Sequence, residues 1–221
     1  MLILNSFISA IYPLNCKCCQ ISLVKGEQHF CLNCEVNFGE VEAIHREEVY
    51  QLFWGKANIE EVFIAFQFFK HEHLQNLIHT FKYRKDQLLA IHLGKVLGGV
   101  IKQPVFDVIS FVPMHKSKER KRGFNQAELI AKGLGEALGM PVLSLLKRTN
   151  STSSQTEKGV FDRFVNMENK FEILTMENSY KHVLLVDDVI TTGATLVACA
   201  KVLEQLKLKV SIACLAYRGL H

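Results

Sequence analysis

At 221 residues the chain has room for one medium domain plus a small appendage, and 48% hydrophobic residues are enough for a sizeable core. The formal charge of +4 and a pI near 8.6 suit phosphate ligands or nucleic acid and are diagnostic of neither. No run reaches the ~18 consecutive apolar residues of a membrane span.

Residues 1–12 are apolar but lack the basic start of a signal peptide. Leu14-Asn15-Cys16 is similar to a lipoprotein cleavage box, with no positive charge before it. The expectation is a soluble, cytoplasmic protein. Cysteine usage agrees: of seven, five fall between Cys16 and Cys34, while Cys199 and Cys214 sit in apolar segments. In a reducing compartment, clustered cysteines point to metal rather than to disulfides.

Cys16-x-x-Cys19 and Cys31-x-x-Cys34 are separated by eleven residues. Each pair brings two sulfurs onto one ion, and four thiolates make a closed, tetrahedral, structural zinc site with no open position for catalysis. A segment this short cannot bury enough core to fold alone, so the metal would supply folding free energy. Cys18 is a spare or fallback ligand, and His29 is a possible substitute. A redox pair or free thiols are the alternatives.

Residues 35–56 read as a linker and short helix, with Phe53 and Trp54 as packing anchors. Residues 62–69 read as a strand, with Lys70-His71-Glu72-His73 as its exit turn. Leu74, Leu77, Ile78 and Phe81 recur at helical spacing, and Lys82-Tyr83-Arg84-Lys85 suits that helix's C-terminus. A second helix is expected over 87–102, weakened at its end by Gly98-Gly99.

Residues 106–112 read as a buried strand. Pro113-Met114-His115-Lys116-Ser117 follows, then a basic cluster of Lys116, Lys118, Arg120, Lys121 and Arg122. The next helix puts Ala127, Ile130, Ala131, Leu134, Ala137 and Leu138 on one face, and Gly139 ends it. Residues 149–164 are polar and Ser/Thr-rich, and a loop of that length inside a domain is usually functional, often a lid. Short strands are expected over 171–175 and 210–217. Strands alternating with helices imply a parallel α/β sheet.

The most informative run is Leu184-Leu185-Val186-Asp187-Asp188-Val189-Ile190-Thr191-Thr192-Gly193-Ala194-Thr195. An apolar strand meets two carboxylates, a Thr/Gly turn, and then a helix carrying Leu196, Cys199, Ala200, Leu203 and Leu206. A helix N-terminus offers free N–H groups and a favourable dipole to a phosphate. Paired carboxylates accept hydrogen bonds from a sugar diol, as an acidic residue does in dinucleotide sites. Two like charges are a poor choice for a merely structural turn.

This run resembles the 5-phosphoribosyl-1-diphosphate (PRPP) motif of type I phosphoribosyltransferases. With Val112-Pro113-Met114-His115-Lys116-Ser117 and Arg122-Gly123-Phe124-Asn125-Gln126-Ala127-Glu128-Leu129, it resembles the ComF family, which joins a four-cysteine knuckle to a type I phosphoribosyltransferase domain. The two Cys pairs, Phe81-Lys82-Tyr83, Thr152 to Gln155, and Arg163 with Asn166 agree in order. The departures are Cys18, the lysine-rich 116–121 segment and Lys170.

The resemblance implies an α/β type I phosphoribosyltransferase fold behind a zinc-ribbon-like knuckle at residues 1–40. The transferase-like domain would span 41–221, with a hood over roughly 41–100. Asp187 and Asp188 would hold the ribose hydroxyls of PRPP, and Thr191, Thr192, Gly193, Ala194 and Thr195 its 5′-phosphate. Met114, His115 and Lys116 would form the diphosphate loop, with Arg120 or Arg122 nearby. Asp187, Asp188 and Lys116 are the expected catalytic residues. His115 is a candidate base, and Mg²⁺ would accompany PRPP.

Three functions follow: transfer of phosphoribose to an unidentified acceptor, a DNA-uptake accessory role with single-stranded DNA or a DNA-uptake helicase as partner, or non-catalytic sensing of PRPP.

Overall fold

A computed structural model describes residues 14–36, 43–67, 86–102, 104–149, 170–174 and 180–218. The segment 1–12, the turn with His71 and His73, the helix with Leu74 to Phe81, and the loop expected from residue 150 onward lie outside the described residues.

The helices and strands run α1 (Leu32–Val36), α2 (Ala43–Phe53), β1 (Ile59–Gln67), α3 (Gln87–Val100), β2 (Val108–Phe111), α4 (Lys116–Arg122), α5 (Gln126–Leu138), β3 (Leu146–Arg148), β4 (Phe171–Ile173), β5 (His182–Ile190), α6 (Ala194–Glu204) and β6 (Lys209–Tyr217). Four strands form a parallel sheet in the order β1-β6-β5-β2, while β3 and β4 pair antiparallel as a separate ribbon. The acid-pair strand is longer than its apolar run suggested, because β5 continues past both carboxylates to Ile190 and stays paired with β6 up to Tyr217.

The sheet is covered on both faces, which is why its central strands are continuously apolar. On one face, Leu184 and Val186 of β5 and Ala213 and Leu215 of β6 meet α3 and α5. On the other, Val183, Leu185, Val210 and Ile212 meet α6 and Val49 and Phe53 of α2. The knuckle joins the first face: Cys16, Phe30 and Cys31 belong to the same buried cluster as Leu89 and Leu93.

Trp54 does not act as an anchor. It is 84% exposed, whereas its neighbour Phe53 is 2% exposed. The reason is the turn after α2, where Lys56 and Ala57 N–H groups both donate to the Phe53 carbonyl and carry Trp54 off the packed side. Ala137 is also exposed. Gly133 and Gly135 complete the buried face of α5 instead.

Those glycines explain how α3 and α5 pack. A Cβ on Gly133 would lie 1.9 Å from the Ile91 carbonyl oxygen, and one on Gly94 would lie 2.1 Å from that of Ile130. The two backbones therefore touch, which only glycine permits. Gly98, expected to loosen the helix end, serves the same packing, with the Ala137 Cβ 2.7 Å away.

At the opposite end of the sheet from the strand termini that carry the acids, Asp107 fixes β2 against β5. Its N–H donates to the His182 carbonyl at 2.8 Å, and its carboxylate accepts from the N–H groups of Lys181 and His182 at 2.7 and 3.0 Å. The Lys181 and His182 N–H groups hold the Asp107 carboxyl below its usual range.

Two neighbouring glycine substitutions should act with opposite sign. Gly133→Ala drives a methyl into backbone and is expected to lower stability by about 1–3 kcal/mol or more. Gly99→Ala is exposed on the same helix pair with nothing within 4 Å of the added methyl, so it is expected to be neutral or stabilising by up to ~1 kcal/mol. Urea unfolding of both variants checks this, and equal effects would refute the close-contact account.

Candidate functional site

In open parallel sheets, ligands bind outside the carboxyl ends of the strands. Here β2 and β5 are adjacent and parallel, with Phe111 opposite Val186 and the Val112 N–H donating to the Val186 carbonyl at 2.9 Å. The chain therefore leaves β2 at Pro113–Lys116 beside the point where β5 presents Asp187 and Asp188. Two segments 70 residues apart in sequence are neighbours at one sheet edge.

Successive side chains of a strand alternate faces. Asp187 lies on the α6 side, opposite Cys214 in register. Burial first, and then the negative charge of Asp187, pushes the Cys199 and Cys214 thiols well up, so both are inert neutral groups. One Asp187 carboxylate oxygen accepts the Asp188 N–H at 2.8 Å. Past Asp187 the alternation shifts, since Val189 packs with the α3 and α5 cluster and Ile190 with the α6 cluster. The acid pair sits where the regular pleat of β5 breaks.

Beyond Ile190, Thr191 and Thr192 are exposed and Gly193 is buried with φ +70° as the N-cap of α6. The N-cap residue Gly193 has no side chain to cap the helix, and the Thr192 hydroxyl accepts the Ala194 N–H at 3.4 Å; the N-terminus of α6 remains favourable to an anion. A small concavity of about 40 Å³ is lined by Asp187 together with Thr191, Thr192, Gly193, Ala194 and Thr195. The expected phosphate-turn residues thus share one hollow with the first acid. Asp188, Met114, His115 and Lys116 are not among its walls.

A feature the sequence reading missed is what backs this turn. A Cβ on Gly193 would stand 3.2 Å from the Phe53 ring and 3.5 Å from Leu52. Phe53 also lines a larger, open cavity of about 800 Å³ with Tyr50, Trp54, Lys56, Asn58 and Ile59. Nothing local in residues 43–53 signals that contact, since it joins the end of α2 to a turn 140 residues away.

The basic cluster is a helix. His115 is the N-cap of α4, its Nδ1 accepting the Ser117 N–H at 3.2 Å and lying 2.7 Å from the Ser117 hydroxyl, which engages the ring of the candidate base. Helical spacing divides the charges: Lys116 and Arg120 share one side, Lys118 and Arg122 another. Arg122, at the far end, is half-buried, and its guanidinium donates to Gln126 Oε1 at 3.1 Å. Asn125 caps α5 through the Ala127 N–H, and its Nδ2 donates to the Val112 carbonyl at 3.0 Å, tying this helix to the end of β2.

The second candidate centre is the knuckle. The ligand atoms of Cys16, Cys19, Cys31 and Cys34 all lie within 4.8 Å of one another, and Cys19 Sγ is 3.6 Å from Cys31 Sγ. Sulfurs at the corners of a tetrahedron with Zn–S of ~2.3 Å would be about 3.8 Å apart. The four residues fit zinc, and Cys18 stays outside the group.

Burial raises the Cys16 thiol, but backbone N–H groups of Cys19, Cys31 and Cys18 outweigh it and bring the thiol down to about 7. Burial and the crowding of Cys31 and Cys19 push Cys34 far up. A bound cation would favour the thiolate form of all four. Among the described residues it is the one metal-competent cluster. No helix among them is long and apolar enough to cross a membrane.

A family model described as phosphoribosyl transferase domain matches residues 120–220. The chain is 32% identical over 145 residues to competence protein F of Haemophilus influenzae, covering 61% of this chain and 63% of that protein. It is 25% identical over 197 residues to competence protein ComFC of Bacillus subtilis, covering 85% of this chain and 77% of that one. The chain spans about three-fifths of the length of the first relatives it matches. A crystal structure of adenine phosphoribosyltransferase matches 64% of this chain and 75% of its own, with 18% identity and a TM-score of 0.39.

One zinc ion per chain is the expected stoichiometry, measured by elemental analysis of protein purified without added metal. Cys31→Ser should lower both the zinc content and the melting temperature. If neither changes, the four cysteines are not the ligands.

Proposed function

We propose, for a chain that belongs to the ComF family and carries a phosphoribosyl transferase domain, that it binds PRPP at the carboxyl ends of β2 and β5 and transfers phosphoribose to an acceptor. The observation that carries this reading is the parallel β2–β5 pairing, which sets the Met114–Lys116 segment beside Asp187, Asp188 and the Thr/Gly turn before α6.

The roles follow from charge and reach. The N–H groups of Thr192 to Thr195 and the dipole of α6 bind the 5′-phosphate. Asp187 and Asp188 each accept from a ribose hydroxyl. Lys116 and Arg122 offset the charge of the diphosphate. Bound together with the substrate, Mg²⁺ would supply further charge neutralisation at the diphosphate.

In the transfer, the bond from the anomeric carbon to the diphosphate oxygen breaks and diphosphate leaves with the electron pair. The acceptor's lone pair then bonds to that carbon through an oxocarbenium-like state. The protein's share is positioning and electrostatic stabilisation.

A second reading is favoured by one further observation. On α4, Lys118, Arg120 and Lys121 are exposed and make no ion pair among the described residues. With relatives named for competence, that surface supports contact with a single-stranded DNA backbone, with PRPP as ligand or regulator.

Calorimetry should detect Mg²⁺-dependent PRPP binding. Asp187→Ala and Asp188→Ala should each weaken it by ~1–3 kcal/mol, the range for a hydrogen bond with a charged partner. Unchanged affinity in both would remove the PRPP reading. Diphosphate release across purine, pyrimidine and nicotinate-type acceptors, abolished in Asp188→Ala, is the expected sign of transfer.

For the second reading, Lys118→Glu with Lys121→Glu should weaken single-strand binding and flatten its salt dependence while leaving PRPP affinity intact. DNA binding that ignores both charges would argue against that surface.

A further inference from the structure

Gln126 opens α5 and is 1% exposed. Its amide oxygen accepts from the Arg122 guanidinium at 3.1 Å. That contact decides which way round the amide sits, because a guanidinium offers only donors and must meet the oxygen. Nε2 is therefore a donor. It is buried and has no hydrogen-bond partner. Buried polar groups in folded proteins are satisfied with few exceptions, and each exception calls for a physical reason.

The surroundings indicate what is missing. Nε2 shares its terminal carbon with the oxygen that Arg122 holds, so the orphaned donor and the guanidinium are neighbours. Arg122 has no carboxylate partner among the described residues. Two donors, one of them cationic, stand together without an acceptor. A water would have to accept from both, whereas an anionic oxygen suits both. The pair lies in the connection from β2 to α5, which Asn125 holds against the end of β2 through the Val112 carbonyl. It therefore belongs to the diphosphate side of the cleft rather than to the turn before α6.

We propose that Gln126 is a diphosphate-binding residue, its Nε2 donating to a diphosphate oxygen of the bound phosphoribosyl diphosphate beside the charge of Arg122. The proposal rests on the PRPP reading above and adds a ligand group to it.

The test is calorimetry of the full chain with magnesium pyrophosphate, ribose 5-phosphate and PRPP, comparing wild type with Gln126→Leu and Gln126→Glu, alongside thermal melts. Gln126→Leu should bind pyrophosphate and PRPP roughly 10- to 100-fold more weakly, with ribose 5-phosphate unchanged. Its Tm should stay near that of wild type, because removing the unsatisfied donor offsets the loss of the oxygen that Arg122 holds, whereas a purely structural glutamine would show a clear fall. Gln126→Glu keeps the oxygen that Arg122 holds, so it preserves the fold if the leucine variant does not, and it should weaken pyrophosphate further by setting a carboxylate against the anion.

If wild type binds PRPP and both variants bind pyrophosphate equally well, Gln126 is structural and this proposal fails while the PRPP reading stands. If wild type binds neither PRPP nor pyrophosphate, the PRPP reading fails and this proposal with it.

Discussion

The parallel hydrogen bonding of β5 between β2 and β6 is the constraint on which the rest of the molecule depends. Val183 to Val186 are buried on both faces, so the strand has no solvent side to guide its register. Its ends do that work. At one end Asp107 clamps the Lys181 and His182 backbone. At the other, Asp187 and Asp188 follow directly on the apolar run, and sliding the strand inward would carry a carboxylate into the core without a partner. The same acids proposed to hold a sugar therefore limit where the strand can sit.

Around that strand, the two faces of the sheet divide the labour. The face with α6 and α2 shapes the turn at Gly193, because Phe53 and Leu52 press against it from behind. The face with α3 and α5 positions the connection after β2. Glycines let those two helices meet backbone to backbone, and Asn125 then ties the start of α5 to Val112. A rigid helix pair thus holds one wall of the cleft, and a buried aromatic supports the other.

The knuckle is not a detached appendage. Phe30 and His29 pack against His92 of α3 as tilted rings, with ring centroids 5.5 and 5.0 Å apart, and Lys17 pairs with Asp86 just before that helix at 3.8 Å. Burial is the main cause lowering both imidazoles, which favours the neutral rings that such packing needs. The knuckle is therefore in direct contact with α3, and through α3 with the helix that opens at Gln126.

Much of this could be read from residue order alone. The four-cysteine spacing, the acid pair ahead of a Thr/Gly turn, the helix after it and the alternation of strands and helices are local patterns. Their chemistry follows from the residue types and their separation. What sequence could not decide was whatever depends on a partner far along the chain. Trp54 and Phe53 are equally apolar neighbours, yet a turn buries one and exposes the other. The basic run 116–122 reads as a charged lead-in, but as a helix its charges divide between two sides. Asp187 and Asp188 simply continue the apolar run in sequence, yet the pleat of β5 shifts there, so that Val189 packs on the α3 and α5 side and Ile190 on the other. Gln126 was visible in the family signature, but its unsatisfied amide became apparent only when Arg122 was found to hold the other end. Local patterns settle which groups are available, and only tertiary packing determines which of them face one another.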